Sequence, residues 1–130
     1  MADHPNVDVI RRSYQAFASG DLVSLRALWT DDIVFHVQGS GKLNGDYYGP
    51  DEVFGMFAEL AQETGGTFRL EVHAVLADDE HSATMLTQYG TRKGRTLATK
   101  VVHIGHLREG KTSEFWEAFT DPAAIDDFWA

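Results

Sequence analysis

Apolar residues recur every three to four positions at Val7, Ile10, Tyr14 and Phe17, the spacing of a single helix face. Asn6 stands where an N-cap belongs, and Gly20 where a left-handed glycine would end the helix. Asp21 opens a second, short helix with Leu22, Leu25, Leu28 and Trp29 on one side, and Thr30-Asp31-Asp32 breaks it. Ile33 to Gln38 is rich in β-branched and aromatic residues and predicts a strand. Gly39, Gly41, Gly45 and Gly49 then punctuate a loop that runs to Pro50. Asp51 and Glu52 suit the dipole at the start of a third helix, whose stripe is Val53, Phe54, Phe57, Leu60 and Ala61. Gly65-Gly66 ends it.

Beyond Gly66 the period drops to two. Phe68, Leu70, Val72, Ala74 and Leu76 alternate with Arg69, Glu71 and His73, which predicts a strand with one dry face. Asp78-Asp79-Glu80 turns the chain into a strand over 81–92, with Met85, Thr87 and Tyr89 on one side. Lys93-Gly94-Arg95 reads as a tight hairpin, 96–108 as a long strand, Glu109-Gly110-Lys111 as a second turn and 112–119 as the last strand. Pro122 to Trp129 suggests a short terminal helix. The order α-α-β-α-β-β-β-β predicts an α+β fold, with helices on one face of a mostly antiparallel sheet. No repeat or linker divides residues 1–130, so a single domain is expected.

Charge narrows the partners. Eleven Lys and Arg stand against 20 Asp and Glu, a formal charge of −9. That balance disfavours nucleic acid and anionic membrane surfaces, both of which need a basic face. The chain has no cysteine, which excludes disulfides, thiolate metal sites and cysteine nucleophiles. No basic segment precedes an apolar stretch at the start and no long apolar run follows, so a cytoplasmic, soluble protein is expected. The histidines do not converge at metal-ligand spacings: His103 and His106 lie three apart on a strand and point to opposite faces. The glycines of 39–49 carry no phosphate-loop signature and no nucleophile elbow is present, so neither metal nor cofactor is expected.

Several segments together resemble the SnoaL-like members of the nuclear transport factor 2 superfamily. They are Tyr14-Gln15-Ala16-Phe17 with Gly20-Asp21-Leu22, Leu28-Trp29-Thr30-Asp31-Asp32, Phe35-His36-Val37, Gly45-Asp46-Tyr47-Tyr48-Gly49, and Gly110-Lys111 leading to Glu114-Phe115-Trp116. The resemblance spans nearly the whole chain. It implies a cone of three helices packed on a curved sheet, related to ketosteroid isomerases. That fold hosts isomerases, cyclases, epoxide hydrolases, dehydratases and non-catalytic binders, so it does not by itself assign an activity.

Three residues are the catalytic candidates. His103 shares a strand face with Leu97, Thr99, Val101, Gly105 and Leu107, opposite Lys100, and so points to the core side. Among the family's steroid isomerases a protonated acid occupies a neighbouring strand position, and here a histidine replaces it. Tyr14 lies on the apolar face of the first helix, where those isomerases carry an oxyanion-hole tyrosine. His36 is the third candidate, although strict alternation turns it away from the helices. The isomerase general-base aspartate falls on Val37, which cannot abstract a proton. Trp29, Tyr47, Phe57, Tyr89, Glu114 and Trp116, with Phe54 and Phe119, are the expected cavity lining. The resulting expectation is a small hydrophobic molecule, polyketide- or steroid-like, held in the cone for isomerisation, cyclisation or dehydration by proton transfer. A non-catalytic ligand-binding or dimerisation module is the alternative. A homodimer is expected through the open sheet face, carried by Val75, Leu86, Val102 and Ile104.

Overall fold

The computed structural model describes residues 3–39 and 41–130. In chain order its elements are α1 (Pro5–Ser19), α2 (Leu22–Ala27), β1 (Trp29–Val37), β2 (Gly45–Tyr48), α3 (Gly49–Glu63), β3 (Arg69–Ala77), β4 (His81–Arg92), β5 (Arg95–Arg108), β6 (Lys111–Phe119) and α4 (Pro122–Trp129). The six strands form one sheet in the order β2-β1-β6-β5-β4-β3. Only β1 and β6 run parallel; every other neighbouring pair is antiparallel. Among the described residues no helix is long and apolar enough to cross a membrane.

Local chemistry accounts for most boundaries. Gly20 takes φ 71° at the end of α1, as a C-terminal glycine should. Asp21 accepts from the Ser24 amide and so caps α2. The β4–β5 and β5–β6 hairpins are two-residue turns in which Lys93-Gly94 and Glu109-Gly110 all have positive φ, matching the twist of the flanking strands. At the start of α1 the cap is His4 rather than Asn6: Nδ1 of His4 accepts from the Asn6 amide. The Asn6 side chain is free to donate to the Asp78 and Asp79 carbonyls, tying α1 to the β3–β4 turn.

Three expectations about elements need correction. Trp29 belongs to β1 and not to the second helix, because α2 stops at Ala27 and Thr30-Asp31-Asp32 continues as strand. The 39–50 segment is not all loop. Gly45–Tyr48 pairs antiparallel with Val34–Val37 and adds an edge strand. The alternation along β3 does not hold to its end, because the β3–β4 register shifts between Val72 and Ala74. One extra residue reverses which side chains face inward. Val75 therefore joins Leu70 and Val72 on the helix side, and Leu76 turns outward with 57% of its surface exposed. Leu86 is also inward, only 1% exposed. Of the residues expected on the open face, Val102 and Ile104 stay there, and Leu76 and Met85 take the places of Val75 and Leu86.

The helices lie on one side of the sheet. α1 packs on β3 and β4, α3 on β1 and β2, and α4 on β5. The larger core cluster joins Ala16, Leu25, Trp29, Ile33, Phe35, Val53 and Met56. A smaller one joins Leu97, Ile125 and Phe128 beneath α4. Buried Arg92 fastens that end. Its Nε donates to Glu63 Oε2 at 3.0 Å, and its Nη1 donates to the Phe128 and Ala130 carbonyls. Between the two clusters the helices and sheet enclose a cavity.

Candidate functional site

One cross-strand row builds the polar wall of that cavity. Thr84 on β4 pairs with His103 on β5, and His103 pairs with Glu117 on β6. All three side chains face the helices, and Tyr14 reaches down from α1 onto the row. Its hydroxyl lies 2.6 Å from Nδ1 of His103, and the two rings are nearly parallel. On the far side of the imidazole, Nε2 lies 3.3 Å from Oε2 of Glu117. The same carboxylate oxygen accepts from Nε2 of Gln88 at 2.6 Å. The result is a continuous chain, Tyr14–His103–Glu117–Gln88, inside an otherwise apolar enclosure.

The electrostatics follow from that enclosure. Burial pushes the Tyr14 hydroxyl far above the ordinary phenol value, a hydrogen bond with Thr84 lowers it, and the Glu117 charge raises it again. Tyr14 therefore holds its proton at neutral pH and acts as a donor. The Glu117 oxygen that faces Nε2 of His103 is the one that accepts from Gln88, so Nε2–H is placed as a second donor to it. Apolar surface surrounds the chain: Phe17, Trp29, Phe35, Phe57, Phe68 and Phe115 among others. The cavity has a volume of about 100 Å³, which limits an occupant to a small molecule.

Of the residues expected to do chemistry, Tyr14 and His103 are brought together here, and Trp29 and Phe57 line the same space. His36, Glu114 and Trp116 are not in the cavity. They occupy the opposite, open face of the sheet, where His36 lies between Asp46 and Glu114 at 2.7 and 2.6 Å and stacks on Trp116. His36 faces outward by the simple alternation of β1, with Ile33 and Phe35 inward, and for Glu114 and Trp116 the physical reason is a second register shift, between His106 and Leu107 on β5. Leu107 pairs with Thr112 and His106 with Glu114, so Ser113 is the extra residue. Without that bulge Thr112, Glu114 and Trp116 would share a face. With it, Thr112, Phe115 and Glu117 point inward. Tyr47 and Tyr89 also lie outside the cavity lining. Tyr47 donates its hydroxyl to the Leu43 carbonyl, and Tyr89 carries the Arg69 guanidinium on its ring. Phe54 packs against the larger core cluster, and Phe119 lines the neighbouring smaller cavity.

Glu117, Gln88 and Thr84 are the site residues that sequence reasoning missed. Counting back from the β5–β6 turn, where Arg108 pairs with Lys111, would set Trp116 across from His103, and only the extra residue at Ser113 puts Glu117 there. Among the described residues no group of three His, Cys, Asp or Glu side chains is arranged to hold a metal ion.

Comparison with known proteins agrees with this architecture. The chain is 31% identical, over 97% of each chain, to Bal32a, which came from a soil-derived mobile gene cassette, and superposes with a TM-score of 0.92. TerC, crystallised with polyporic acid, shares the fold at 21% identity and a TM-score of 0.84, over 96% of this chain and 98% of that one. The uncharacterised protein Rv0034 of Mycobacterium tuberculosis is 28% identical over the full length of both chains. Residues 10–115 match the SnoaL-like domain, and with that match covering most of the chain, the protein belongs to the SnoaL-like family.

Proposed function

We propose that the protein binds a small, largely apolar molecule carrying a carbonyl or enol oxygen and moves a proton on it. The observation that carries this reading is the Tyr14–His103–Glu117 chain set into the wall of an apolar cavity. A ligand oxygen placed beside Tyr14 would receive its hydrogen bond in a water-poor site, where a developing enolate is stabilised most strongly. The hydroxyl has one proton, so on binding it turns from Nδ1 of His103 to the ligand oxygen, and Glu117 balances any charge that the imidazole takes up. Glu117 also has a second oxygen, Oε1, with no hydrogen-bond donor among the described residues. In the proposed step the carbon–hydrogen bond next to the carbonyl breaks, its proton passes to Glu117, and its electron pair becomes the enolate that Tyr14 holds. Return of the proton from Glu117 to a different carbon completes an isomerisation, and its transfer to a β-hydroxyl, which leaves as water while the enolate electron pair forms the new double bond, completes a dehydration. TerC, of the same fold, was crystallised with polyporic acid, which supports occupancy of this kind. A second copy of the chain covering the open sheet face belongs to the same reading.

The test uses 2-tetralone, an apolar bicyclic ketone with exchangeable α-protons, in deuterated buffer followed by NMR. The protein is expected to speed hydrogen–deuterium exchange. Glu117→Gln should abolish the effect, and Tyr14→Phe should reduce it by about 10²-fold, the typical loss for one oxyanion donor. Binding without any acceleration would favour the non-catalytic alternative, and neither binding nor exchange would overturn the reading.

A further inference from the structure

Gln88 stands between two cavities. The enclosure described above and a smaller one against β6 and α4 share five lining residues: Met56, Leu60, Phe68, Gln88 and Glu117. The smaller cavity continues past them to Phe119, Ile125 and Trp129. Its volume is about 40 Å³. The two polar members of the shared set are joined by the Gln88–Glu117 hydrogen bond, so that bond is part of the partition.

The amide of Gln88 has a fixed sense. Its nitrogen donates to a carboxylate oxygen, which cannot donate in return, so the carbonyl oxygen Oε1 must be the other end. That oxygen accepts from no group among the described residues. The side chain is nonetheless buried, 5% exposed. Gln88 lines both cavities, and its Oε1 is not among the atoms sealed in protein without a partner, so an oxygen open on the cavity wall is a ready acceptor for whatever enters.

We propose that Gln88 Oε1 is a recognition point for a hydroxyl or N–H donor on the ligand, and that the ligand spans the partition. Resting on the proposed function, this narrows the substrate class to elongated, mostly apolar molecules with two polar functions. One is the oxygen received by Tyr14, and the other is a donor placed at Gln88. A site built to accept a hydrogen bond discriminates against the analogue that lacks the donor.

The probes are 2-naphthol and 2,6-dihydroxynaphthalene, titrated by their own fluorescence against wild-type protein, Gln88→Met and Gln88→Leu. Wild type is expected to bind the diol about five- to tenfold more tightly than the mono-ol, the worth of one net hydrogen bond. Both variants should lose that preference, the diol falling to the affinity of the mono-ol whatever the loss of the Gln88–Glu117 bond does to both probes together. Gln88→Met keeps the side-chain length, and measurable 2-naphthol binding reports an intact cavity in whichever variant folds. Equal affinities in wild type, or a diol preference that survives in the variants, would overturn the proposal while leaving the Tyr14 site standing. Failure of wild type to bind either probe would overturn the proposed function and this inference together.

Discussion

His36 and His103 show how much a histidine's meaning depends on the face it occupies. Both are strand residues with a carboxylate partner and an aromatic neighbour. His103 lies beneath α1 in a closed space, and His36 lies on the open side between Asp46 and Glu114. Alternation alone reads the inward direction of His103, because β5 keeps its register from Thr91↔Thr96 up to His106. What alternation cannot read is the partner, because Tyr14 is 89 positions away and its approach depends on how α1 seats on the sheet. For His36, burial lowers the imidazole value, but hydrogen bonds to Asp46 and Glu114, with their charges, outweigh it, and the net direction is upward from 6.5. Folding therefore favours the protonated ring. Its contribution is complete below the unfolded value of about 6.5 and fades as pH rises through the higher folded value. Urea unfolding of wild type should lose more stability between about pH 6 and pH 8 than that of His36→Gln, whose side chain does not titrate. Parallel pH profiles would mean that the two carboxylates do not stabilise the charged ring.

Two bulges decide which elements give side chains to the site, and bulges leave little trace in composition. One extra residue at Ser113 carries Glu114 and Trp116 outward and sets Glu117 beneath Tyr14, and the shift after Val72 does the same for Val75 and Leu76. Helices, hairpin turns and strand existence follow from caps, glycines and alternation. Strand phase after a bulge depends on pairing with a neighbour, which no single strand encodes. The same limit hid β2, a four-residue edge strand among glycines that exists because Val34–Val37 offers it a partner. The terminal helix α4 is held by packing as well as by the Arg92 bonds. A Cβ on Gly41 would stand 2.6 Å from Cβ of Trp129, an atom that cannot swing aside without moving the helix. Gly41→Ala should cost about 1–3 kcal/mol in chemical denaturation, the usual range for overpacking, and should shift tryptophan emission as α4 is displaced. An unchanged melt would show that α4 is seated loosely enough to give way.

At the scale of the whole molecule, the sheet has one face buried under helices and one left open. Along the open face a cross-strand row runs Leu76, Ala83, Ile104, Trp116, His36 and Asp46, one residue from each of the six strands. Met85 and Val102 pair in the next row, and Leu76, Met85 and Ile104 are all more than two-fifths exposed. A single chain keeps that surface wet at a cost that a second copy, meeting it face to face about a two-fold axis, would remove. The charge of −9 on each copy works against such a pair, since two like charges of that size repel across any interface. Association should therefore strengthen with salt, because repulsion is screened within about 10 Å at 0.1 M while apolar burial is not weakened. Sedimentation velocity at micromolar concentration is expected to show twice the chain mass, with the dimer fraction rising between about 0.02 and 0.3 M sodium chloride. Ile104→Glu places a charge at the centre of the row and should yield monomer at every salt concentration, with the fold intact because the side chain points away from the core. A wild-type chain that sediments as a monomer throughout would show that the face stands open in solution.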